Sequence, residues 1–245
     1  MDNGTGEILV LVEGARTDVR LMEHLLKIYG IDHRHRLVSY NTNIYALYNS
    51  MFRYADPSSL DILLHLKSRE SDPIKKAIFD KRYSEILLIF DFEPHDPQFS
   101  EDIIREMAEF FIESTDMGKL YINYPMVEAF YHMKNIPDHL YDTYSATIAE
   151  LASGGYKERV NRENRNRDYT KFAADKRECD IVIRQNINKA RKLLSITAHE
   201  NPVPVPDSID ILNLQLDKMQ NEQAVAVLCT CAFYIVDYNP GLIGV

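Results

Sequence analysis

Glu13 lies in Val12-Glu13-Gly14-Ala15-Arg16-Thr17-Asp18, and a second acidic group, Asp91, Glu93 and Asp96, lies in Ile89-Phe90-Asp91-Phe92-Glu93-Pro94-His95-Asp96. Carboxylates grouped in this way are oxygen donors for a hard divalent cation, because Mg2+ keeps several waters and needs only a few protein oxygens. An ion so held orients a water or hydroxyl and neutralises charge that develops on a phosphate. Asp91 and Glu93 share a face if the segment stays extended, with Phe92 turned away. Each motif also has a plainer reading. A Glu-Gly pair starts many turns, Asp18 complements the positive end of a helix, and an Asp-x-Glu after a strand is ordinary.

The position of both clusters in the chain favours the chemical reading. Ile8-Leu9-Val10-Leu11-Val12 and Ile86-Leu87-Leu88-Ile89-Phe90 are continuous aliphatic runs without polar alternation, the pattern of parallel strands covered on both faces. Ligands of such sheets bind at the carboxyl ends of the strands. The apolar spacing of residues 18–29, stopped by Gly30, predicts a helix after the first strand. A short second strand is expected over 36–40. Helices over 43–54, 58–69 and 73–80 follow, broken at Asp56-Pro57 and Asp72-Pro73, with Ser58 an N-cap candidate. A third strand over 85–90 leads to an amphipathic helix over 100–114. The fourth, Lys119 to Asn123, ends at Tyr124-Pro125 before a helix carrying Glu128. This alternation implies crossovers and a mostly parallel, four-stranded sheet flanked by helices. Beyond Pro137 no strand is expected. Helices are predicted over 141–153, 170–194, 208–219 and 222–238, with an extended proline linker over 201–206. The chain thus divides into 1–136, with a helical insertion near 43–80, and a helical extension over 137–245.

The chain has 245 residues, 45% of them hydrophobic and 27% charged, the composition of an ordinary globular protein. No signal peptide and no long uncharged apolar stretch is visible, so no membrane association is expected. Three cysteines, Cys179, Cys229 and Cys231, make no disulfide framework and read as buried thiols in a cytoplasmic protein. The net charge of −9 argues against a wholly nucleic-acid-binding surface but permits a local patch. The densest basic stretch contains Arg159, Arg162, Arg165, Arg167 and Lys171, interleaved with Tyr156, Tyr169 and Phe172. It suits a phosphate backbone with stacked bases, while the acids between its cations suit a solvated, internally paired helix. His95 is either a neighbour of the metal site or a surface histidine.

VEGARTD after one strand and DFE after a later one resemble the two signature motifs of the Toprim family. The likeness covers roughly residues 7–130, and it implies a Rossmann-like Toprim domain. The family's glutamate falls on Glu13 and its Asp-x-Asp on Asp91 and Glu93, where glutamate replaces the second aspartate. Tyr124-Pro125-Met126-Val127-Glu128 is also similar to a segment of stand-alone Toprim proteins related to the OLD nucleases and the DUF4435 group. These are often antiphage defence or toxin-like effectors, some working with an ABC-type ATPase. A chain of this length has no room for the gating domains of a topoisomerase or the template modules of a primase. The resemblance therefore implies a nuclease acting on DNA or RNA, with Mg2+ or Mn2+ held by Glu13, Asp91 and Glu93. Asp96 and Glu128 are extra ligand candidates, and Glu128 is alternatively a helix-start carboxylate. Lys119 or another cation would stabilise the transition state. The alternative function is a non-catalytic Toprim module that binds nucleic acid or protein, and a homo-oligomer is compatible with either.

Overall fold

A computed structural model describes residues 6–53, 59, 61–115, 117–196 and 205–243. In chain order the first half contains β1 (Ile8–Val12), α1 (Thr17–Ile28), β2 (His35–Ser39), α2 (Ile44–Met51), α3 (Ile62–Arg69), α4 (Pro73–Lys76), β3 (Glu85–Asp91), α5 (Glu101–Phe110), β4 (Ile112–Glu113) and β5 (Gly118–Asn123). The Asp56-Pro57 break, Ser58 and most of the 201–206 linker lie outside the described residues.

The strands form one five-stranded sheet in the order β2-β1-β3-β5-β4. β2, β1, β3 and β5 run parallel, and the short edge strand β4 is antiparallel to β5. The sheet has five strands where four were expected. β4 spans only two residues, Ile112 and Glu113, and both are exposed, so it carries none of the apolar signal that marks the others. All five β1 residues are buried, as are six of the seven in β3, which explains their unbroken hydrophobicity. β1 sits between β2 and β3, so the strand order reverses direction there. Such a switch point opens a crevice beyond the carboxyl ends of the strands.

After residue 137 come β6 (Ser145–Thr147), α6 (Ile148–Ala152), α7 (Gly155–Glu163), α8 (Lys176–Leu193), α9 (Ser208–Glu222), β7 (Ala224–Ala226) and α10 (Tyr234–Tyr238). This corrects the expectation of helices alone. β6 and β7 pair antiparallel, Ser145 opposite Ala226, in segments predicted to belong to the 141–153 and 222–238 helices. The Gln215 side chain of α9 both donates to Ala226 O and accepts from Ala226 N, satisfying a buried strand edge that would otherwise lack partners. The chain then runs beside the end of β5: Leu228 exchanges two backbone hydrogen bonds with Tyr124, and Thr230 Oγ1 donates to Ile122 O at 2.7 Å. The Glu128 segment is one 3-10 stretch, Val127–Tyr131, fully buried. No helix among the described residues is long and apolar enough to cross a membrane.

Candidate metal centre

β1 and β3 are in register, Val12 opposite Ile89, which brings the next residues together at the crevice. Glu13 is fixed through its backbone: its N–H donates to Ile89 O at 3.0 Å, and its carbonyl accepts from Asn41 N at 2.9 Å. Asp91 is the last residue of β3, opposite Asn123 of β5, whose amide donates to Asp91 Oδ1 at 3.4 Å. Glu93 departs from the extended path. Its φ of 39° is uncommon for a residue with a side chain, and its N–H donates to Pro125 O at 3.3 Å. Phe92 turns into the core between Phe99 and Tyr124, and Tyr45 of α2 donates to its carbonyl at 2.6 Å. One carboxylate oxygen from each of Glu13, Asp91 and Glu93 lies within 4.8 Å of the others.

These groups line an open cleft of about 370 Å3 together with Asp18, Glu128, Arg16 and Lys157. Burial is the first cause that pushes the Glu13 carboxyl up to about 8, with the charges of Glu93 and Asp18 adding to it. Asp18 is raised to about 6, again by burial first. Asp91 is raised well above the usual carboxylate range by burial and by all four neighbouring acids, and burial raises Glu128. Lys157, 3.6 Å from Glu128 Oε1, is the counter-charge. Burial works against its ammonium, but the charges of Glu128, Asp91, Glu93 and Asp18 outweigh it and hold its pKa above the ordinary value.

Buried carboxylates that repel one another are stabilised by a bound cation. Asp18 Oδ1 and Glu128 Oε2 are buried and have no hydrogen-bond partner, so the cleft still has lone pairs to offer. An all-oxygen donor set fits Mg2+ or Mn2+ and not a thiophilic metal.

Asp96 does not line the cleft. Its Oδ2 accepts from Asn43 Nδ2 at 2.7 Å and its Oδ1 from Gln98 N, so it ties the β3–α5 loop to the start of α2. His95 is half-buried in the same loop. Lys119 donates to Asp237 at 2.6 Å at a different cavity, of about 180 Å3, beside α9. The basic stretch is largely neutralised by carboxylates within it and beside it. Arg159 pairs with Glu150 at 3.0 Å, Arg162 with Glu163 at 3.6 Å and Lys171 with Asp168 at 3.5 Å. Arg165 forks onto both oxygens of Glu178, and Arg167 is exposed. All three cysteines are buried.

Asp18 and Lys157 line the cleft without having been marked for it, and the buried Asn123 supports Asp91 from behind. For Asp18 a signal was present in the glycine four residues before it. A Cβ on Gly14 would stand 2.5 Å from Asp18 Oδ2, so glycine there lets the carboxylate fold back under the turn. Nothing local separates Lys157 from the other cations of its stretch. No family model, curated protein or solved structure matches this chain.

Proposed function

We propose that the chain is a metal-dependent phosphodiesterase that hydrolyses nucleic-acid strands, with Glu13, Asp91 and Glu93 holding Mg2+ or Mn2+. The observation that carries the proposal is the convergence of these three carboxylates at a strand-order reversal, with a lysine lining the same cleft. The bound ion would supply Lewis acidity toward a phosphate oxygen and lower the pKa of water. Lys157 places a positive charge where a non-bridging phosphate oxygen gains negative charge during attack. The unpartnered Asp18 Oδ1 and Glu128 Oε2 are the acceptors left to orient the attacking water and take its proton. The resemblance extends this proposal to an antiphage defence or toxin-like effector acting with an ATPase partner.

The test is cleavage of single- and double-stranded DNA and RNA by the purified chain in Mg2+ and in Mn2+, beside Glu13→Gln. Cleavage by the parent and its loss in the variant are expected. Equal cleavage by the two proteins would overturn the site. Strand binding that needs neither the ion nor Glu13, without cleavage, would return the non-catalytic binding module.

A further inference from the structure

We infer that Arg16, with Arg20 one turn further along α1, grips the phosphate beside the scissile one on the substrate strand; the inference rests on the phosphodiesterase reading. A cleft lined by Glu13, Asp18, Asp91, Glu93 and Glu128 repels a polyanion, so the strand needs cationic contacts at its rim. Two cations line the cleft, Arg16 and Lys157, and Lys157 is already paired with Glu128. Arg16 is exposed. Among the described residues its guanidinium makes no hydrogen bond, ion pair or ring contact, unlike those of Arg159, Arg162 and Arg165. Its planar fork is suited to two phosphate oxygens at once.

The loop that presents Arg16 is built and not merely exposed. A Cβ at position 14 would stand 2.5 Å from Asp18 Oδ2, so the turn before Arg16 closes against that carboxylate. Arg16 is the N-cap residue of α1, and its carbonyl accepts from Arg20 N at 3.0 Å. The spacing i, i+4 sets the two side chains on one face, and Arg20 is likewise exposed. The strand would therefore cross the cleft along the start of α1.

The test is fluorescence anisotropy of a labelled single-stranded oligonucleotide, DNA or RNA, titrated over a salt series with Ca2+ in place of Mg2+. It compares the parent with Arg16→Ala, Arg16→Lys, Arg20→Ala and Arg162→Ala, and melting curves confirm that each variant is folded. Each lost phosphate contact reduces the slope of log affinity against log salt by about 0.7. That reduction is expected for Arg16→Ala and Arg20→Ala. Arg16→Lys should keep the slope with weaker binding, and Arg162→Ala should match the parent. An unchanged slope in Arg16→Ala, in a parent that cleaves, overturns this contact and leaves the phosphodiesterase reading intact. Arg16-dependent binding without cleavage in any metal upholds the contact and overturns that reading. A parent that binds no strand overturns both.

Discussion

The backbone N–H of Asp91 donates to Glu13 Oε2 at 3.0 Å, so the end of β3 aims the carboxylate that leaves the end of β1. One N–H cannot balance the charge gathered there, because Asp91 itself is buried and has Glu13, Asp18, Glu128 and Glu93 as charged neighbours. Without an ion the centre opposes folding. Asp91→Asn should therefore stabilise the ion-free protein by roughly 1–3 kcal/mol, the scale on which buried charges act, while removing its response to Mg2+. Thermal melts of parent and variant with and without Mn2+ decide this. A variant less stable than the ion-free parent would mean that the centre is not electrostatically strained.

The same strain sets a pH dependence. The Glu13 carboxyl goes from an ordinary value of 4.5 to about 8 in the folded chain. Folding thus favours its protonated form, and the stability this contributes is complete below 4.5 and is lost as pH rises through 8. Asp18 adds a window from 3.8 to about 6 with the same sign. Ion-free stability should fall with rising pH across these windows, with a smaller fall in Glu13→Gln. Divalent ions must displace these protons, so their apparent affinity should rise over the same range. Calorimetric titration with Mn2+ in buffers of different ionisation enthalpy counts the protons released. A count of zero near neutral pH would contradict the shared site.

Gly14 and Asp18 form a second coupled pair. Because a methyl group at position 14 would meet Asp18 Oδ2 at 2.5 Å, Gly14→Ala should lower stability by about 1–3 kcal/mol, as overpacking does. Asp18→Ala removes the obstructing carboxylate, so Gly14→Ala should be much milder in that background. Denaturant unfolding of the four proteins in this cycle gives the coupling, expected at about 0.5–3 kcal/mol. Strict additivity would show that the two residues do not touch.

How far such pairs can be read from residues alone depends on what holds them. β1 and β3 are legible because a strand covered on both faces needs no polar alternation, and the acids at their ends are legible because the strands are. The run from Ala224 to Val236 misleads for the same reason. Apart from Thr230 it is a continuous hydrophobic run, and periodicity alone does not distinguish a buried helix from a strand plus extended chain. What decides it is tertiary: Gln215 holds Ala226, and Cys231 N donates to Asn123 Oδ1 at 3.2 Å. The cluster of arginines after Gly155 attracts attention by density, yet their carboxylate partners stand both inside the stretch and at Glu150 and Glu178. Lys157 reaches the cleft only because α7 packs beside the Val127–Tyr131 turn, a relation with no trace in local spacing. His132 fastens the two elements, since its ring meets Tyr156 Oη at 3.3 Å and Glu163 Oε2 at 3.5 Å.

Lys157 therefore provides the sharpest kinetic prediction. It opposes the burial that raises the Glu128 carboxyl, and under the phosphodiesterase reading it also meets the charge that develops on the phosphate. Removing a preorganised donor of that kind lowers turnover by roughly 10²–10³-fold. Lys157→Met should show that loss mainly in kcat, with a smaller change in KM, because the interaction strengthens as charge builds in the transition state. Lys157→Arg keeps the charge with a different shape and should recover part of the rate. Mn2+ binding should persist in both variants, since neither removes a carboxylate. Steady-state cleavage kinetics beside Mn2+ titrations separate these effects. A Lys157→Met protein with the parent's kcat would exclude the lysine from the reaction, and one that had lost ion binding would assign it to the structure of the centre.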